Sequence, residues 1–250
     1  MSQESYNKIA AVYSTDMGQS MAFDDVGYYR RLCSERGGHT LELGCGTGRI
    51  LLPLLQSGID IAGVDESPGM LAQLRINAKA LNLHPSISSG SLTSFSSPPC
   101  HTVLAPYSVV TYLADTSQLA DFFLAVRRVL TTDGILVLDT FIPRPVSSYT
   151  EFRLDYRREH EGGILQREKR ITVEAGCNRI ERRYSLLELS GVATRTWTTV
   201  DVIRPWQVAE LLPQATACGL TLVAQHGNFT GTVHADDQFV QLHWRATGTS

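Results

Sequence analysis

The clearest structural signal in the chain is Leu41-Glu42-Leu43-Gly44-Cys45-Gly46-Thr47-Gly48-Arg49. It begins as a short apolar strand, passes through three closely spaced glycines and leads into residues 50–56, whose apolar side chains have helical spacing. Glycines allow a sharp turn and a close approach of the backbone to a ligand, because they carry no Cβ atom. The helix start then directs unpaired N–H groups and a positive dipole end toward that ligand. The pattern predicts a strand, a glycine turn and a helix that bind a small molecule.

A second apolar strand, residues 61–65, ends in an acid, Asp65. An acid at this place can accept hydrogen bonds from both hydroxyls of a ribose. The nicotinamide fingerprint would need its third glycine at the position of Arg49, but here that glycine comes one residue earlier. Glu42, two residues before the first glycine, suits a cationic amine or sulfonium and would repel a pyrophosphate. The two acids therefore indicate a nucleoside cofactor that carries a cationic group.

These residues resemble motif I of the class I S-adenosylmethionine (SAM)-dependent methyltransferases, and residues 65–71 resemble the ribose-binding motif of that family. Further along, residues 105–108 resemble the segment after its fourth strand, and residues 130–138 its fifth-strand signature. The resemblance implies an α/β fold: a Rossmann-like, doubly wound, seven-stranded, mostly parallel sheet with SAM as cofactor. It also implies a set of cofactor-binding residues, namely Tyr6, Tyr13, Glu42, Gly44, Cys45, Gly46, Gly48, Asp65, Glu66, Met70, Ser91, Leu92 and Pro106.

Two of these positions have a second interpretation. Met70 lies where adenine would stack, but it also shares helical spacing with Leu71 and Leu74, which is typical of a core residue. Position 91 is a serine, whereas the resembling family commonly has an acid there that holds the adenine amine. Backbone groups around Ser91 and Leu92 would have to replace that contact.

Composition narrows the class of partner. With 250 residues and a formal net charge of -3, the chain has no general attraction for nucleic acid or an anionic membrane. Its five scattered cysteines include no C-x-x-C pair, which favours reduced thiols. Residues 1–4 are polar and no apolar run approaches membrane-spanning length, so we expect neither export signal nor anchor. We expect a cytoplasmic protein that is a monomer or homodimer and acts on a small molecule.

The α/β rhythm predicts three regions. Residues 1–38 form a helical cap, and residues 39–141 with 201–250 form the SAM-binding domain. Between them, residues 142–200 form an antiparallel β lid inserted after the fifth strand, with strands at 165–173, 179–187 and 193–200. The lid arginines alternate with acids, which is typical of a solvated face. One of them could instead hold an acidic substrate.

Methyl transfer needs a neutral amine or a deprotonated phenol or thiol, so a nearby base would help. The candidate catalytic residues are Tyr13, Tyr107, Tyr112 and His226, with Asp139 as a further candidate base. His226 belongs to residues 226–231, which either reach the site or form a tight turn. Asp139 has no acidic neighbour after the fourth strand and the histidines lack ligand spacing, so we expect no metal.

Three functions fit these residues. The first is SAM-dependent N- or O-methylation of a small-molecule acceptor, as in a biosynthetic enzyme. The second is a cyclase or lyase on the same fold, in which SAM itself is the substrate and methylthioadenosine is released. The third is a non-catalytic SAM-binding subunit, against which the intact Glu42, glycine turn and Asp65 argue. Residues 104–107 contain no polar acceptor for a base amine, which argues against nucleic-acid bases as substrates.

Overall fold

A computed structural model describes residues 3–17 and 23–247. The expectation that the chain carries no export signal rests on the polar residues 1–4. Of these, residues 1 and 2 lie outside the described residues. In the described part of the chain, seven strands form one sheet in the order β10-β11-β5-β4-β1-β2-β3. Four further strands form a second sheet, β6-β7-β8-β9, which is antiparallel throughout. The predicted seven-stranded, mostly parallel α/β sheet is confirmed.

The strands of the large sheet are β1 (Thr40–Leu43), β2 (Ile61–Asp65), β3 (Ser86–Ser89), β4 (Cys100–Ala105), β5 (Leu130–Phe141), β10 (Leu220–Gly227) and β11 (Phe239–Ala246). The first four pair in parallel with one another and with β5, whereas β11 runs antiparallel to both β5 and β10. The chain order reverses between β1 and β4. A crevice for ligands opens at such a point, beyond the carboxyl ends of the strands.

Helices cover both faces of this sheet. They are α3 (Asp25–Arg36), α4 (Leu51–Gln56), α5 (Pro68–Ala80), α6 (Thr116–Val129) and α7 (Val208–Ala217). On one face α3, α4 and α5 pack around Tyr29 and Leu74, and on the other α6 and α7 pack around Phe122 and Trp244, all fully buried. Two of these helices begin at capping side chains: Ser67 caps α5 before Pro68, and Asp115 caps α6.

The amino-terminal segment 3–17, called the cap segment below, comprises α1 (Gln3–Ile9), a 3-10 turn (Ala10–Val12) and α2 (Tyr13–Met17). The small sheet, called the lid, comprises β6 (Tyr149–His160), β7 (Gly163–Glu174), β8 (Cys177–Leu187) and β9 (Ala193–Ile203). Ile9, Met70 and Tyr184 share one apolar cluster, so the cap segment packs between the lid and α5. The lid therefore packs against the cap segment.

The lid differs from the expectation in one strand. β6 was not predicted, because its charged residues stand next to one another and break the period-two pattern. Its hydrogen bonds to β7, interrupted by two irregularities, form it nonetheless. β9 continues to Ile203, beyond the expected end of the lid at residue 200. Within the described ranges, no helix is both long and apolar enough to cross a membrane.

Candidate active site

The glycine turn follows β1 as expected. The N–H groups of Gly44 and Cys45 donate to the Val64 carbonyl (2.8 and 3.1 Å), which fixes the turn to the neighbouring strand β2. Gly44, Gly46 and Gly48 have φ angles of 71°, 53° and 87°, a region that favours glycine. A Cβ atom on Gly46 would meet no atom closer than the Gly44 carbonyl oxygen, 3.9 Å away. The turn is therefore open on the side of Gly46, where a ligand can approach the backbone.

Gly48 has a different role from the one the resemblance implied. A Cβ atom there would lie 2.8 Å from the Leu52 side chain and 3.1 Å from that of Leu74. Gly48 therefore allows α4 and α5 to pack closely behind the turn, and it does not line the cavity in front of it.

Two buried acids flank the turn. The Asp65 carboxylate accepts hydrogen bonds from the N–H groups of Gly46 and Ser67, both at 2.8 Å. Burial raises the pKa of Asp65, and these two N–H groups oppose that change. Glu42 is 2% exposed, and its Oε2 atom has no hydrogen-bond partner in the described part of the chain. Burial raises the pKa of Glu42 well above its usual value, although the Arg49 charge opposes this.

The unpartnered Glu42 oxygen shows whether the residues of this site fit the implied cofactor, SAM. A buried carboxylate oxygen without a donor is costly, and a cationic amine removes that cost by donating to it. The methionine part of SAM carries such an amine, and its ribose carries hydroxyls that can donate to Asp65. The open side of Gly46 provides room between the two acids. The residues present therefore fit SAM.

The central cavity is lined by Tyr6, Tyr13, Glu42, Gly44, Cys45, Gly46, Thr47, Arg49, Ile50, Asp65, Pro106, Tyr107, Val109 and Tyr112. About 510 Å³ of space inside it, counting the part open to solvent, is free of protein atoms. Four of its walls are tyrosines, two from the cap segment and two from the chain after β4. The Tyr6 and Tyr112 hydroxyls are 2.6 Å apart, and the Tyr6 and Tyr13 rings meet edge to face. The predicted catalytic residues Tyr13, Tyr107 and Tyr112 therefore lie together.

Asp139 supports this wall from behind. Its carboxylate accepts hydrogen bonds from the N–H groups of Tyr107 (2.8 Å) and Ser108 (2.9 Å) and from the Tyr29 hydroxyl (2.6 Å). Tyr107 and Ser108 have φ angles of 57° and 56°, a left-handed conformation that residues other than glycine rarely adopt. The Asp139 carboxylate stabilises this conformation through its two backbone hydrogen bonds. Burial raises the pKa of Asp139 to about 6 against these hydrogen bonds. Asp139 orients Tyr107 and does not line the cavity.

Arg49 is a cavity residue that the sequence did not single out for function. Its guanidinium group donates to both carboxylate oxygens of Asp25, at 3.0 and 2.6 Å. It also lies 5.7 Å from the centre of the Tyr107 ring. The position of Arg49 directly after the last glycine could have marked it as a cavity residue. Its pairing with Asp25 could not be predicted, because Asp25 belongs to α3 and only folding brings the two side chains together.

Besides Gly48, five predicted site residues do not line the central cavity: Glu66, Met70, Ser91, Leu92 and His226. Met70 and Leu92 are buried in apolar clusters, so the core interpretation of Met70 applies here. The Ser91 hydroxyl lies 3.3 Å from that of Thr93. The cap segment covers this end of the crevice, because the Asn7 side chain accepts hydrogen bonds from Ser67 Oγ and Gly69 N. That contact was not expected.

His226 belongs to a different cavity, at the edge of the sheet. Its Nδ1 atom is 2.8 Å from the Tyr28 hydroxyl, which also lies 2.6 Å from His243 Nε2. Burial, together with the charges of His226 and Arg36, lowers the pKa of His243 to about 4. The structure does not bring His226 to the tyrosines, so it has no place in the reaction proposed below.

The cap segment and the lid are joined through Asp16. Its carboxylate accepts hydrogen bonds from three lid side chains, Tyr156, Tyr184 (3.2 Å) and Arg167 (2.5 Å). A second ion pair within the lid joins Arg182 and Asp201 at 2.6 Å. Arg167 and Arg182 of the lid are therefore both paired with acids. In the described ranges, no group of three or more His, Cys, Asp or Glu side chains could hold a metal ion.

Comparison with known proteins agrees with this geometry. Residues 40–134 match the family model described as a methyltransferase domain. A relative from Geobacillus sp. (strain WCH70), named a putative methyltransferase, is 29% identical over 137 residues, 54% of this chain. The match spans about half, 53%, of that relative's own length.

Solved structures are similar over nearly the whole chain. A SAM-dependent methyltransferase from Clostridium acetobutylicum covers 97% of this chain and 99% of its own, with a TM-score of 0.81 at 15% identity. The sugar N-methyltransferase KedS8 from Streptoalloteichus covers 95% and 92%, with a TM-score of 0.74 at 22% identity. At these identities the likeness shows the fold. The matched domain, the glycine turn and its two acids show that residues 40–134 form a methyltransferase domain, and the chain shares the Rossmann-like fold of SAM-dependent methyltransferases.

Proposed function

We propose that this protein transfers the methyl group of SAM to the nitrogen of a small-molecule amine. The observation that carries the proposal is that the central cavity combines a place for the cofactor with tyrosines and paired charges, and that Glu42, its one described carboxylate with an unpartnered oxygen, is assigned to the cofactor amine. SAM supplies a methyl group on a sulfonium, and that methyl is electrophilic without help from the protein. The protein's work is to hold the two reactants at attack distance and to exclude water.

In this proposal the chain holds the cofactor at its two ends. Glu42 accepts a hydrogen bond from the amine of the methionine part, through the oxygen that otherwise has no partner. Asp65 accepts from the ribose hydroxyls, and the open side of Gly46 lets the ligand lie against the backbone. The aromatic walls of the cavity attract positive charge, which favours the binding of a sulfonium there.

The lack of a base favours nitrogen over oxygen as the methylated atom. Burial raises the pKa of Tyr6, Tyr13 and Tyr107, and it raises that of Tyr112 to about 12, so these phenols stay protonated at neutral pH. Both Asp65 oxygens already accept N–H groups. An alcohol would need one of these groups to take its proton in the transition state, whereas an amine is nucleophilic once it has lost its ammonium proton to water.

The charges near the cavity argue against an anionic acceptor. Arg49 is bound to Asp25, Arg167 to Asp16, and Arg182 to Asp201. A carboxylate acceptor would have to separate one of these pairs, which is costly for buried ions. Aromatic walls instead favour a cation, such as the methylated ammonium that forms as the reaction proceeds.

Two further observations support a small amine as the acceptor. The end of β4 and the residue after it present Leu104, Ala105 and Pro106, which offer no side-chain acceptor for a nucleobase amine. KedS8, whose fold this chain shares, is a sugar N-methyltransferase. The proposal therefore includes a small-molecule partner and no nucleic-acid partner.

The test is mass spectrometry of SAM incubated with the pure protein, with and without a panel of primary and secondary amines. We expect S-adenosylhomocysteine to form only when an amine is present, together with an N-methylated product. Transfer to alcohols or carboxylates, with none to amines, would contradict the assignment to nitrogen. Methylthioadenosine formed from SAM alone, above the level without protein, would show that SAM itself is the substrate and would replace the proposal.

A further inference from the structure

A second cavity, called the edge cavity below, opens between α3, β10, β11 and the loop that follows β10. It is the cavity that contains His226, and about 800 Å³ of space inside it, counting the part open to solvent, is free of protein atoms. Sites for small organic molecules span roughly 300–1,000 Å³. No described residue lines both this cavity and the central one. Methyl transfer in the central cavity therefore gives the edge cavity no role.

The edge cavity contains a hydrogen-bonded row of three rings. The Tyr28 hydroxyl lies 2.8 Å from His226 Nδ1 and 2.6 Å from His243 Nε2. A hydroxyl has one proton, so Tyr28 donates to one imidazole and accepts an N–H group from the other. His243 is 8% exposed, and burial lowers its pKa to about 4, so this ring is neutral at pH 7. When Tyr28 donates to His226, the ring proton of His226 is on Nε2, which can donate it to a ligand.

The rim of the edge cavity is positively charged. Arg31 and Arg36 line it from α3, together with Glu35, so two guanidinium groups face one carboxylate. Arg36 donates to the backbone carbonyl of Asp133 at 2.9 Å, a contact that does not neutralise its charge. Arg31 lies 3.9 Å from Asp24, and both side chains are more than half exposed, so that pair is weak. The rim therefore favours an anion.

Apolar side chains line the edge cavity beside these charges. Ile135 and Phe229 are 4% and 5% exposed, and Leu32 packs in the same cluster. The Phe229 ring meets that of Tyr28 edge to face, and its N–H group donates to Gln241 Oε1 at 2.7 Å. The wall is thus fixed before a ligand arrives, which reduces the ordering that binding requires. Inorganic phosphate would use only the rim, whereas a ligand with an apolar body would use this wall as well.

We propose that the edge cavity is a binding site for a phosphate monoester with an apolar or aromatic body. Arg31 and Arg36 bind the phosphate oxygens, because a guanidinium group donates parallel hydrogen bonds to such a group. His226 Nε2 donates a further hydrogen bond, and the body of the ligand packs on Leu32 and Phe229. A carboxylate carries less charge and fewer oxygens than a phosphate, so it would use fewer of these donors.

The test measures the binding of phenyl phosphate, inorganic phosphate and phenol by calorimetry. Phenyl phosphate should bind roughly tenfold more tightly than either of the other two, because it alone uses both the rim and the apolar wall. Equal binding of phenyl phosphate and inorganic phosphate would overturn the monoester. Equal binding of phenyl phosphate and phenol, or no binding of phenyl phosphate, would overturn the anion site.

The same titration is repeated with S-adenosylhomocysteine in excess. The affinity for phenyl phosphate should not change, because no described residue lines both cavities. Displacement of phenyl phosphate by S-adenosylhomocysteine would place the phosphate in the central cavity and overturn the proposal.

Three substitutions of exposed residues on α3, each changing the net charge by one, locate the phosphate. Arg31→Gln should weaken phenyl phosphate binding roughly three- to tenfold. Glu35→Gln should strengthen it, because this change removes a repelling charge from the rim. Arg30→Gln is the matched control, since Arg30 does not line the edge cavity, and it should leave the affinity unchanged.

Two results of these variants would overturn the site. An equal loss in Arg30→Gln and Arg31→Gln would show that only the net charge of the protein matters. Weaker binding in Glu35→Gln would show that the phosphate does not lie at this rim. A thermal melt of each variant accompanies the titrations, and all three should melt like the wild type because the substituted side chains are exposed.

Discussion

Glu42 and Asp65 lie on either side of the same glycine turn, but their surroundings differ. Asp65 has both oxygens occupied by backbone N–H groups, so it shapes the turn as well as facing the cavity. Glu42 keeps one oxygen without a partner among residues 3–17 and 23–247, so this oxygen is available to a ligand. Substitutions at the two positions should therefore have different effects on stability and on affinity.

Asp65→Ala should weaken SAM binding at least tenfold, about 1.4 kcal/mol, because the ribose hydroxyls lose their acceptor. The melting temperature should also fall by a few degrees, because Gly46 and Ser67 lose theirs. Calorimetry with SAM and a thermal melt measure the two effects, and Asp121→Ala on the exposed face of α6 is the control. An unchanged SAM affinity would refute the ribose contact.

Glu42→Gln should weaken binding of S-adenosylhomocysteine at least tenfold, about 1.4 kcal/mol, because an amide attracts an ammonium group less than a carboxylate does. Binding of methylthioadenosine should not change, because that molecule lacks the amine. Calorimetry with both ligands separates this contact from general damage to the cavity. Equal losses for the two ligands would contradict the role of Glu42.

The same variant should alter the pH dependence of stability. The pKa of Glu42 in the folded protein is raised from 4.5, so the folded state holds the proton more tightly than the unfolded state. Its stabilising effect is complete below about pH 4.5 and is lost as the pH rises through the folded value. The amide in Glu42→Gln does not titrate, so the variant does not lose this stability as the pH rises. Its melting temperature should therefore increase relative to that of the wild type between pH 4.5 and 8. If the difference in melting temperature between Glu42→Gln and the wild type stayed constant with pH, the raised pKa of Glu42 would be contradicted.

Several residue roles could be predicted from local patterns alone. The glycine turn, Glu42 and Asp65 are close in sequence, and their spacing carries the geometry. Asp139 could not be assigned in this way. Its carboxylate binds the backbone of Tyr107 and Ser108 and the Tyr29 hydroxyl, which are 31 to 110 residues away. A side chain that looks like a base in the sequence is therefore a support for the cavity wall.

At the scale of elements, the cap segment and the lid depend on each other. Asp16 connects α2 to both β7 and β8 through Arg167 and Tyr184, and Ser5 connects α1 to β9. Helices as short as α1 and α2 are marginal without tertiary contacts. The lid therefore supplies much of the stability of the helices that carry Tyr6 and Tyr13.

Asp16→Ala should release the cap segment from the lid. In this variant Arg167 keeps only one of its two acidic partners. The free energy of unfolding should fall by about 3 kcal/mol at most, which lowers the melting temperature by roughly 6–12 °C. Hydrogen exchange in residues 3–17 should become faster. Asp155→Ala, which removes the other acid bound to Arg167 without touching the cap segment, is the control. Unchanged exchange in residues 3–17 of Asp16→Ala would contradict the connection.

At the scale of the whole molecule, the cofactor should connect the sheet to its covering elements. The central cavity has walls from the cap segment, the glycine turn and the chain after β4. A ligand that binds only the folded protein at a hundred times its dissociation constant adds about 2.7 kcal/mol. S-adenosylhomocysteine at that concentration should therefore raise the melting temperature by roughly 5–11 °C. No rise in the melting temperature would contradict a cofactor site in this cavity.

The sequence by itself determined the α/β sheet, the glycine turn with its two acids and the antiparallel insertion. Each of these depends on a local period or spacing that holds wherever the chain is placed. Only the tertiary structure decided which side chains meet. Asp16 reaches Tyr156 across 140 residues and Ser5 reaches Val200 across 195.

The same limit explains the misplaced residues. His226 and Met70 carry suitable chemistry in the sequence, but packing directs His226 to Tyr28 and Met70 into the core beneath the cap segment. The strand β6 exists because β7 hydrogen-bonds to it, although its own residues show no strand pattern. Contacts between distant segments depend on the burial of whole surfaces, and no local pattern of residues records which surfaces will be buried together.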